Sequence, residues 1–296
     1  MSIKLSLVIP ARDINDPKLQ ELLRSIEMQD FPKSEVETLV ITEGTSESAK
    51  AIGIKKAKGE VIGILASDNE LIQPNTLTHM YNRVTISKFQ SAYPAHYEYR
   101  KDDNILNRYF SLIGGNDVLS FYMRKNDRYS YLGNDIDYNK QLSYGDNGFF
   151  VRKSEIKLTD LNNYYHIENA NESSSPSPQH SFTIWHKTGS NIFSFFAKRY
   201  RYGLQHAFNK NRRWHLVDFS KSHDIWRLIW FVLITLTLIE PLILSFRGYR
   251  KIQDVAWFIH PIICFFTVVA YSILIMHLGL RKLFQLLSVP MVAQRA

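Results

Sequence analysis

The 26 residues from Val255 to Leu280, VAWFIHPIICFFTVVAYSILIMHLGL, contain no Asp, Glu, Lys or Arg. About 20 apolar residues cover the hydrocarbon core of a bilayer as a helix, so this run is long enough to span one. A second run, Leu228 to Phe246 (LIWFVLITLTLIEPLILSF), holds one charge, Glu240, next to Pro241. Core helices of soluble proteins carry a polar face, which neither run shows. Together they predict a C-terminal transmembrane helical hairpin. The first apolar run of the chain, Leu5 to Ile9, is too short for a signal peptide, so the rest is expected to be a soluble domain made in the cytosol.

Charge divides along the chain in the same way. Residues 1–186 hold 21 Lys+Arg against 24 Asp+Glu, whereas residues 187–296 hold 15 against 4. Basic residues beside apolar spans fit an anionic membrane surface better than nucleic acid. Asn191 to Asn209 (NIFSFFAKRYRYGLQHAFN) interleaves Phe and Tyr with Lys198, Arg199 and Arg201, the pattern of a helix in the headgroup layer. Cys264 is the one cysteine, which excludes an internal disulfide framework and any CxxC metal site and fits a reducing compartment.

The N-terminal part alternates strand and helix signals. Ile3 to Ile9 reads as a strand ending at Pro10, Leu19, Leu22, Leu23 and Ile26 recur at helical spacing, and Val36 to Ile41 is a second strand. Ser46 to Ala57 is a helix with Ser46 as N-cap, Val61 to Ala66 a third strand, and Pro74 sits at the first position of a further helix. Such alternation predicts a mostly parallel sheet with helices on both faces. Ligands of open sheets bind beyond the C-terminal strand ends. Pro10 to Asp13, Thr42 to Thr45 and Ser67 to Glu70 therefore share one rim, where Asp68, Asn69 and Glu70 offer hard oxygen ligands suited to Mg2+ or Mn2+ beside substrate phosphates. Further on, Gly148 to Arg152 and Phe182 to Trp185 read as strands, and Asn169 to His180, containing NESSSPSPQ, as a flexible loop.

These elements, in order, resemble glycosyltransferase family 2. Ile9-Pro10-Ala11-Arg12-Asp13 matches a strand ending in I-P-x-x-N, and Ser25-Ile26-Glu27-Met28-Gln29 with Phe31-Pro32 matches the following S-[IL]-x-x-Q helix. Thr42-Glu43-Gly44-Thr45-Ser46-Glu47 stands at the D-D-G-S position, and Gly53-Ile54-Lys55-Lys56-Ala57-Lys58-Gly59-Glu60 matches G-x-x-x-A-x-G-[ED]. Two positions depart from the family: its DxD motif reads Ala66-Ser67-Asp68, and Glu43 is the only acid in the D-D-G-S element. Downstream, Gly145 to Arg152 is similar to the acceptor-side strand, His166-Ile167-Glu168 stands near the family's ED-type acid, and Trp185-His186 with Arg199 to Gly203 resembles the late His and an R-x-x-G-like helix.

The resemblance implies a GT-A fold, a Rossmann-like α/β sheet over residues 1–189. A basic amphipathic segment (190–224), two transmembrane helices (225–282) and a tail (283–296) follow. It implies a hexosyltransferase using Mg2+ or Mn2+ that moves a sugar, with inversion, from a nucleotide sugar to a lipid-linked acceptor on the cytoplasmic face. The implied nucleotide-sugar contacts are Pro10, Ala11, Arg12, Glu43, Lys56, Asp68 and Asn69, and the metal ligands are Asp68 and His186. Asp146 and Glu168 are the candidate acids for activating an acceptor hydroxyl. A loose resemblance to polyprenyl-phosphate sugar transferases adds Arg100, Arg108, Arg152, Arg199 and Arg201 as candidates for holding an acceptor phosphate, which suits guanidinium geometry. Elongation of a lipid-linked saccharide is the alternative reaction. The Ala66 departure keeps a third reading open, an inactive GT-A scaffold at the membrane.

Overall fold

The computed structural model describes residues 2–86, 89–133, 147–156, 176–187, 189, 191–208 and 216–287. In chain order these give β1 (Leu5–Pro10), α1 (Pro17–Glu27), β2 (Val36–Ile41), α2 (Ser46–Lys56), β3 (Val61–Ile64), β4 (Asn69–Leu71), α3 (Thr76–Thr85) and β5 (Ser91–Tyr97). There follow α4 (Ile105–Ile113), α5 (Val118–Tyr122), β6 (Phe149–Arg152), β7 (Pro176–His186), α6 (Ile192–Phe208), α7 (Ser222–Thr237), α8 (Ile239–Lys251) and α9 (His260–Leu287).

The strands form a seven-stranded sheet in the order β2-β1-β3-β6-β5-β7-β4. The expected parallel core is present, β1 lying between β2 and β3. The sheet as a whole is mixed rather than mostly parallel, because β6 runs antiparallel to both β3 and β5, and β4 antiparallel to β7. β5 and β7 restore one parallel pair. Strands buried on both faces need no alternation, and Leu5, Leu7, Val8, Ile9, Val61, Ile62 and Ile64 are all fully buried. One face packs on α1 and α3 through Leu19, Leu22, Ile26, Leu77, Met80 and Val84. The other receives α2 through Ala51 and Ile54.

Several local expectations shift. Thr45, not Ser46, caps α2, its hydroxyl accepting from Ser48 N while Ser48 Oγ accepts from Thr45 N, a reciprocal capping box. The helix after Pro74 begins at Thr76, because the Pro74 carbonyl is engaged by Asp30 N. Residues 176–180, expected in a loop, belong to β7.

The motif glycines have steric reasons. A Cβ on Gly53 would lie 2.4 Å from Val8 Cγ1, and one on Gly59 would lie 2.7 Å from Ser6 N, so α2 and its exit approach β1 too closely for any side chain.

The C-terminal hairpin is not confirmed. The first apolar run is two helices, α7 and α8, bent by 85°. Leu238 between them adopts φ 58°, and Pro241, lacking an N–H, sits in the first turn of α8 where a continuing helix would need that donor. Among the described residues one helical stretch, Val255–Arg281, is long and apolar enough to cross a membrane, and the bent pair passes the same test only when taken as one broken span. These helices share a core with the domain: Tyr109, Phe110 and Leu112 of α4 and Val118 and Leu119 of α5 pack with Phe195, Phe231, Leu244, Trp257 and Ile263.

Gly53→Val tests the close approach of α2 to β1. Overpacking of this kind costs about 1–3 kcal/mol, so the urea midpoint is expected to fall accordingly. Gly189→Ala, where a Cβ meets nothing within 4 Å, should stay within about 0.5 kcal/mol of the parent.

Candidate active site

The register aligns three strand ends. Pro10 pairs with Ile41 and Val8 with Ile64, so the segments after β1, β2 and β3 emerge side by side. After β1, Ala11 N donates to Ile41 O at 2.9 Å and Arg12 is exposed. α1 then starts with Asp16 capping Lys18 N and Pro17 in its first turn, which aims the positive end of the helix at the rim. After β2, Glu43 is exposed, and Gly44 at φ +77° makes a turn that an L side chain rarely adopts.

After β3 the chain turns at Asp68. Asn69 is fully buried and holds that turn, its Oδ1 accepting from Ala66 N at 2.9 Å and its Nδ2 donating to Asn147 Oδ1 at 2.9 Å. Ser25 and Gln29 brace it from behind: Ser25 Oγ accepts from Leu71 N, Gln29 Nε2 donates to Gln73 O and Gln29 Oε1 accepts from Leu77 N. The S-x-x-x-Q element at the end of α1 and just beyond it thus fixes the strand that follows Asp68.

β4 is three residues long, and its antiparallel pairing with β7 sets Asn69 opposite His186. His186 Nε2 comes to 3.3 Å from Asp68 Oδ1, and Lys187 N donates to Asp68 O at 3.0 Å. Behind His186 lies the Tyr97 ring, 5.3 Å away between centroids, its hydroxyl donating to Asp127 and accepting from Asn147. Burial pushes the Asp68 carboxyl up. The His186 ring, by charge and hydrogen bond, and then Lys198 and Lys18 outweigh burial and hold it well below the usual carboxylate range. The Asp68 side chain keeps 19% of its surface, so it faces an opening rather than the core.

Lys198 comes from α6, which Asn191 caps through Ser194 N. Burial holds its ammonium below the ordinary lysine range; Asp68 opposes that, and Arg199, Lys18 and Arg12 reinforce it. Lys18 Nζ also donates to Lys187 O at 2.8 Å. Sequence reasoning placed Lys198 on a headgroup-facing helix and did not single out Lys18. The signal for Lys18 was its place in the first turn of the helix that follows the first rim loop.

The other candidates divide. Arg100 stands at the rim edge, 3.4 Å from Glu70 and 3.8 Å above the Trp185 ring, whose Nε1 donates to Asp103. Glu70 also pairs with Lys187 at 3.3 Å. Arg199 reaches Asp117 at 3.5 Å, Arg108 lies 3.4 Å from Asp254, and Arg201 is exposed with Nε directed to Ala197 O of its own helix. Arg152 and Lys56 are carried away from the rim. Arg152 pairs with Val61, at the start of β3, and donates to Val84 O and Thr85 O; Lys56 ends α2, about 16 Å along the helix from its rim-side cap. Asp146 and Glu168 lie outside the described residues.

Among the described residues no three His, Cys, Asp or Glu side chains converge as a metal cluster. Asp68 and His186 nevertheless fit two adjacent positions on a six-coordinate ion. Bonds of about 2.1 Å at right angles put such ligands about 3.0 Å apart, near the observed 3.3 Å. Phosphate oxygens and water would complete the sphere, as is usual for Mg2+.

Lys198 yields a pH-dependent expectation. Its folded pKa lies below the 10.5 of an exposed lysine, so its charge costs folding free energy at neutral pH. That cost fades as the pH rises through the lowered value toward 10.5. Lys198→Met should therefore be at least as stable as the parent at pH 7, with the gap closing in alkali. Denaturant titrations at several pH values check this, and a loss above about 1 kcal/mol at pH 7 would contradict it.

No family model matches the sequence, and no curated protein matches it. Solved structures do. The mannosyltransferase PcManGT from Pyrobaculum calidifontis, in complex with GDP-Man and Mn2+, superposes with a TM-score of 0.51 at 11% identity, covering 92% of this chain and 87% of that one. S. aureus TarS 1–349 in complex with UDP-GlcNAc gives 0.44 at 14% identity over 70% of this chain and 68% of that one. A further structure of S. aureus TarS 1–349 gives 0.41 at 14% identity over 70% of this chain, which spans 66% of that fragment. The chain has the fold of the Pyrobaculum calidifontis mannosyltransferase.

Proposed function

We propose that this chain is a membrane-attached glycosyltransferase that moves a sugar from a nucleotide sugar to a lipid-linked phosphate acceptor, with inversion. One observation carries the reading. Asp68 and His186 stand 3.3 Å apart, with Lys198 and Lys18 close enough to act on the Asp68 charge, at the rim of a sheet whose fold is shared with a mannosyltransferase solved with GDP-Man and Mn2+.

Cleavage of a sugar–phosphate bond builds negative charge on the leaving diphosphate, so the residues that meet it must be cationic and fixed in advance. Lys198 and Lys18 are positioned on two different helices around Asp68, and the α1 N-terminus adds its dipole to the same side. The ion that Asp68 and His186 would hold, Mg2+ or Mn2+, supplies Lewis-acid stabilisation of the leaving group. A diphosphate arriving at Lys198 supplies the counter-charge that burial denies its ammonium, so the charge that is costly in the free protein becomes favourable in the complex. Arg12 and Glu43, on neighbouring exposed loops, suit the nucleoside, with the Glu43 carboxylate accepting from ribose hydroxyls. An acceptor phosphate is already anionic at neutral pH and needs no general base. Arg100 at the rim edge is the arginine best placed to receive it. An acceptor hydroxyl would need a base, the role for which Asp146 and Glu168 stand as candidates.

The test is incubation of the detergent-purified chain with a panel of nucleotide sugars and polyprenyl phosphate, with and without Mn2+, followed by mass analysis of the lipid fraction. A sugar-phosphoryl lipid is the expected product. Asp68→Ala should lower turnover at least 100-fold while the fold persists, the scale typical of a lost charge-stabilising group. Lys198→Met should weaken nucleoside diphosphate binding about tenfold, one charge-assisted contact. Absence of both transfer and donor hydrolysis across the panel would leave the scaffold reading in its place.

A further inference from the structure

The helices α7, α8 and α9 are amphipathic in an unusual sense: the inward faces are partly polar and the outward faces are greasy. On α7 the exposed side chains include Trp226, Trp230, Leu233 and Leu236; on α8 Ile239, Leu242, Ile243 and Phe246; on α9 Ile262, Phe265, Val269, Ile273, Met276 and Leu280. Each set recurs every three or four residues, which is one stripe per helix. A soluble monomer rarely leaves so much contiguous apolar surface uncovered.

The inward faces are tied to the catalytic body at every stage of the path. At the start of α7, Asp224 pairs with Lys125 at 2.5 Å and Arg227 donates to Met123 O at 3.0 Å. At the 85° elbow, Glu240 accepts from Tyr122 at 2.5 Å. At the end of α8, Lys251 donates to Leu132 O, and Asp254 takes Tyr99 and Arg108. Along α9, His260 meets Tyr109 and Tyr122, Tyr271 donates to Asp117, and His277 lies 3.0 Å from Tyr200 of α6. The turn between α8 and α9 is thus held against the soluble body and cannot lie on the far side of a bilayer, whereas α9 beyond Leu274 is exposed on most sides.

We infer that α7, α8 and the start of α9 form a platform, resting on the body by their inner faces and immersed in the near leaflet by their outer stripes, with the turn between α8 and α9 on the side of the soluble domain. This deepens the membrane part of the proposed function and rests on it. The bilayer, rather than a second copy of the chain, fits the edges of the platform. Arg247, Arg250 and Lys251 end α8, Lys221 precedes α7, and residues 187–296 carry 15 Lys+Arg against 4 Asp+Glu, matching anionic headgroups. It also removes a conflict in the charge pattern. The basic cluster between the two apolar runs would sit on the far side in a spanning hairpin, against the positive-inside tendency. In the platform it stays on the side of the catalytic domain.

The two arrangements put Gln253, exposed between α8 and α9, on opposite sides of the membrane. The experiment uses full-length protein carrying both Lys55→Cys, on the exposed end of α2, and Gln253→Cys. It is reconstituted into sealed vesicles of equal parts neutral and anionic phospholipid and treated with a membrane-impermeant maleimide. Cys264 is fully buried, and the parent measures any label it takes. The platform gives molecules with two labels or none, counted by mass spectrometry whatever the orientation ratio. A spanning hairpin gives one label on every molecule and overturns the inference. Protein that does not float with the vesicles, or elutes as a soluble dimer with both sites labelled, overturns the membrane reading itself.

Discussion

The site depends on the pairing of a three-residue strand. β4 is too short to be stable alone, and its ladder with Ile184–His186 is what delivers an imidazole to Asp68. That pairing is locked from two directions. Ser25 of α1 and Gln29 just beyond its end hold the β4 backbone and the chain beyond it, and the Asn69–Asn147 contact ties the turn to the loop that precedes β6. All of these groups are buried polar atoms, whose removal from a partner costs about 1–3 kcal/mol each. The neighbourhood of Asp68 is therefore rigid before any ligand arrives, which is the condition for electrostatic stabilisation without reorganisation.

The helical region depends on polar contacts of a different kind. Asp224, Asp254 and His260 are buried at the junction with the α/β domain, and each has a tyrosine, lysine or arginine partner there. Such pairs add little net stability compared with apolar replacements, but breaking one strands a charge. They fix where the helices sit. The left-handed backbone of Leu238, which costs a non-glycine residue about 1–2 kcal/mol, persists because both flanking helices are held on the body.

The three parallel strands were legible because strands buried on both faces read as short apolar runs, and the rim followed from their shared direction. The sheet beyond them was not. β6 pairs antiparallel with β3, so a strand whose Arg152 end looked like a rim position runs the other way and delivers that arginine to the opposite end. β4 is too short for any periodicity, and β5 pairs with β7 across some eighty residues of sequence. The elbow was hidden for another reason: hydropathy has no direction, and the only local sign was Pro241. Lys18 and Lys198 were obscured because each lies in a helix whose other residues read as ordinary surface or headgroup contacts, and only tertiary packing turns those two inward.

The neighbours Lys198 and Arg199 are about 100° apart around the α6 axis. The first belongs to the cluster at Asp68 and the second to Asp117, where Tyr271 of α9 also binds. Farther along, Gly203 lets Leu274 approach so closely that a methyl group would not fit. The helix thus works like a splined shaft between the sheet and the C-terminal helices. Inserting or deleting one residue between positions 199 and 203 would leave composition and hydropathy almost untouched, yet twist Lys198 out of mesh with Gly203, so the two ends of the molecule can drift in sequence only if they keep the same count.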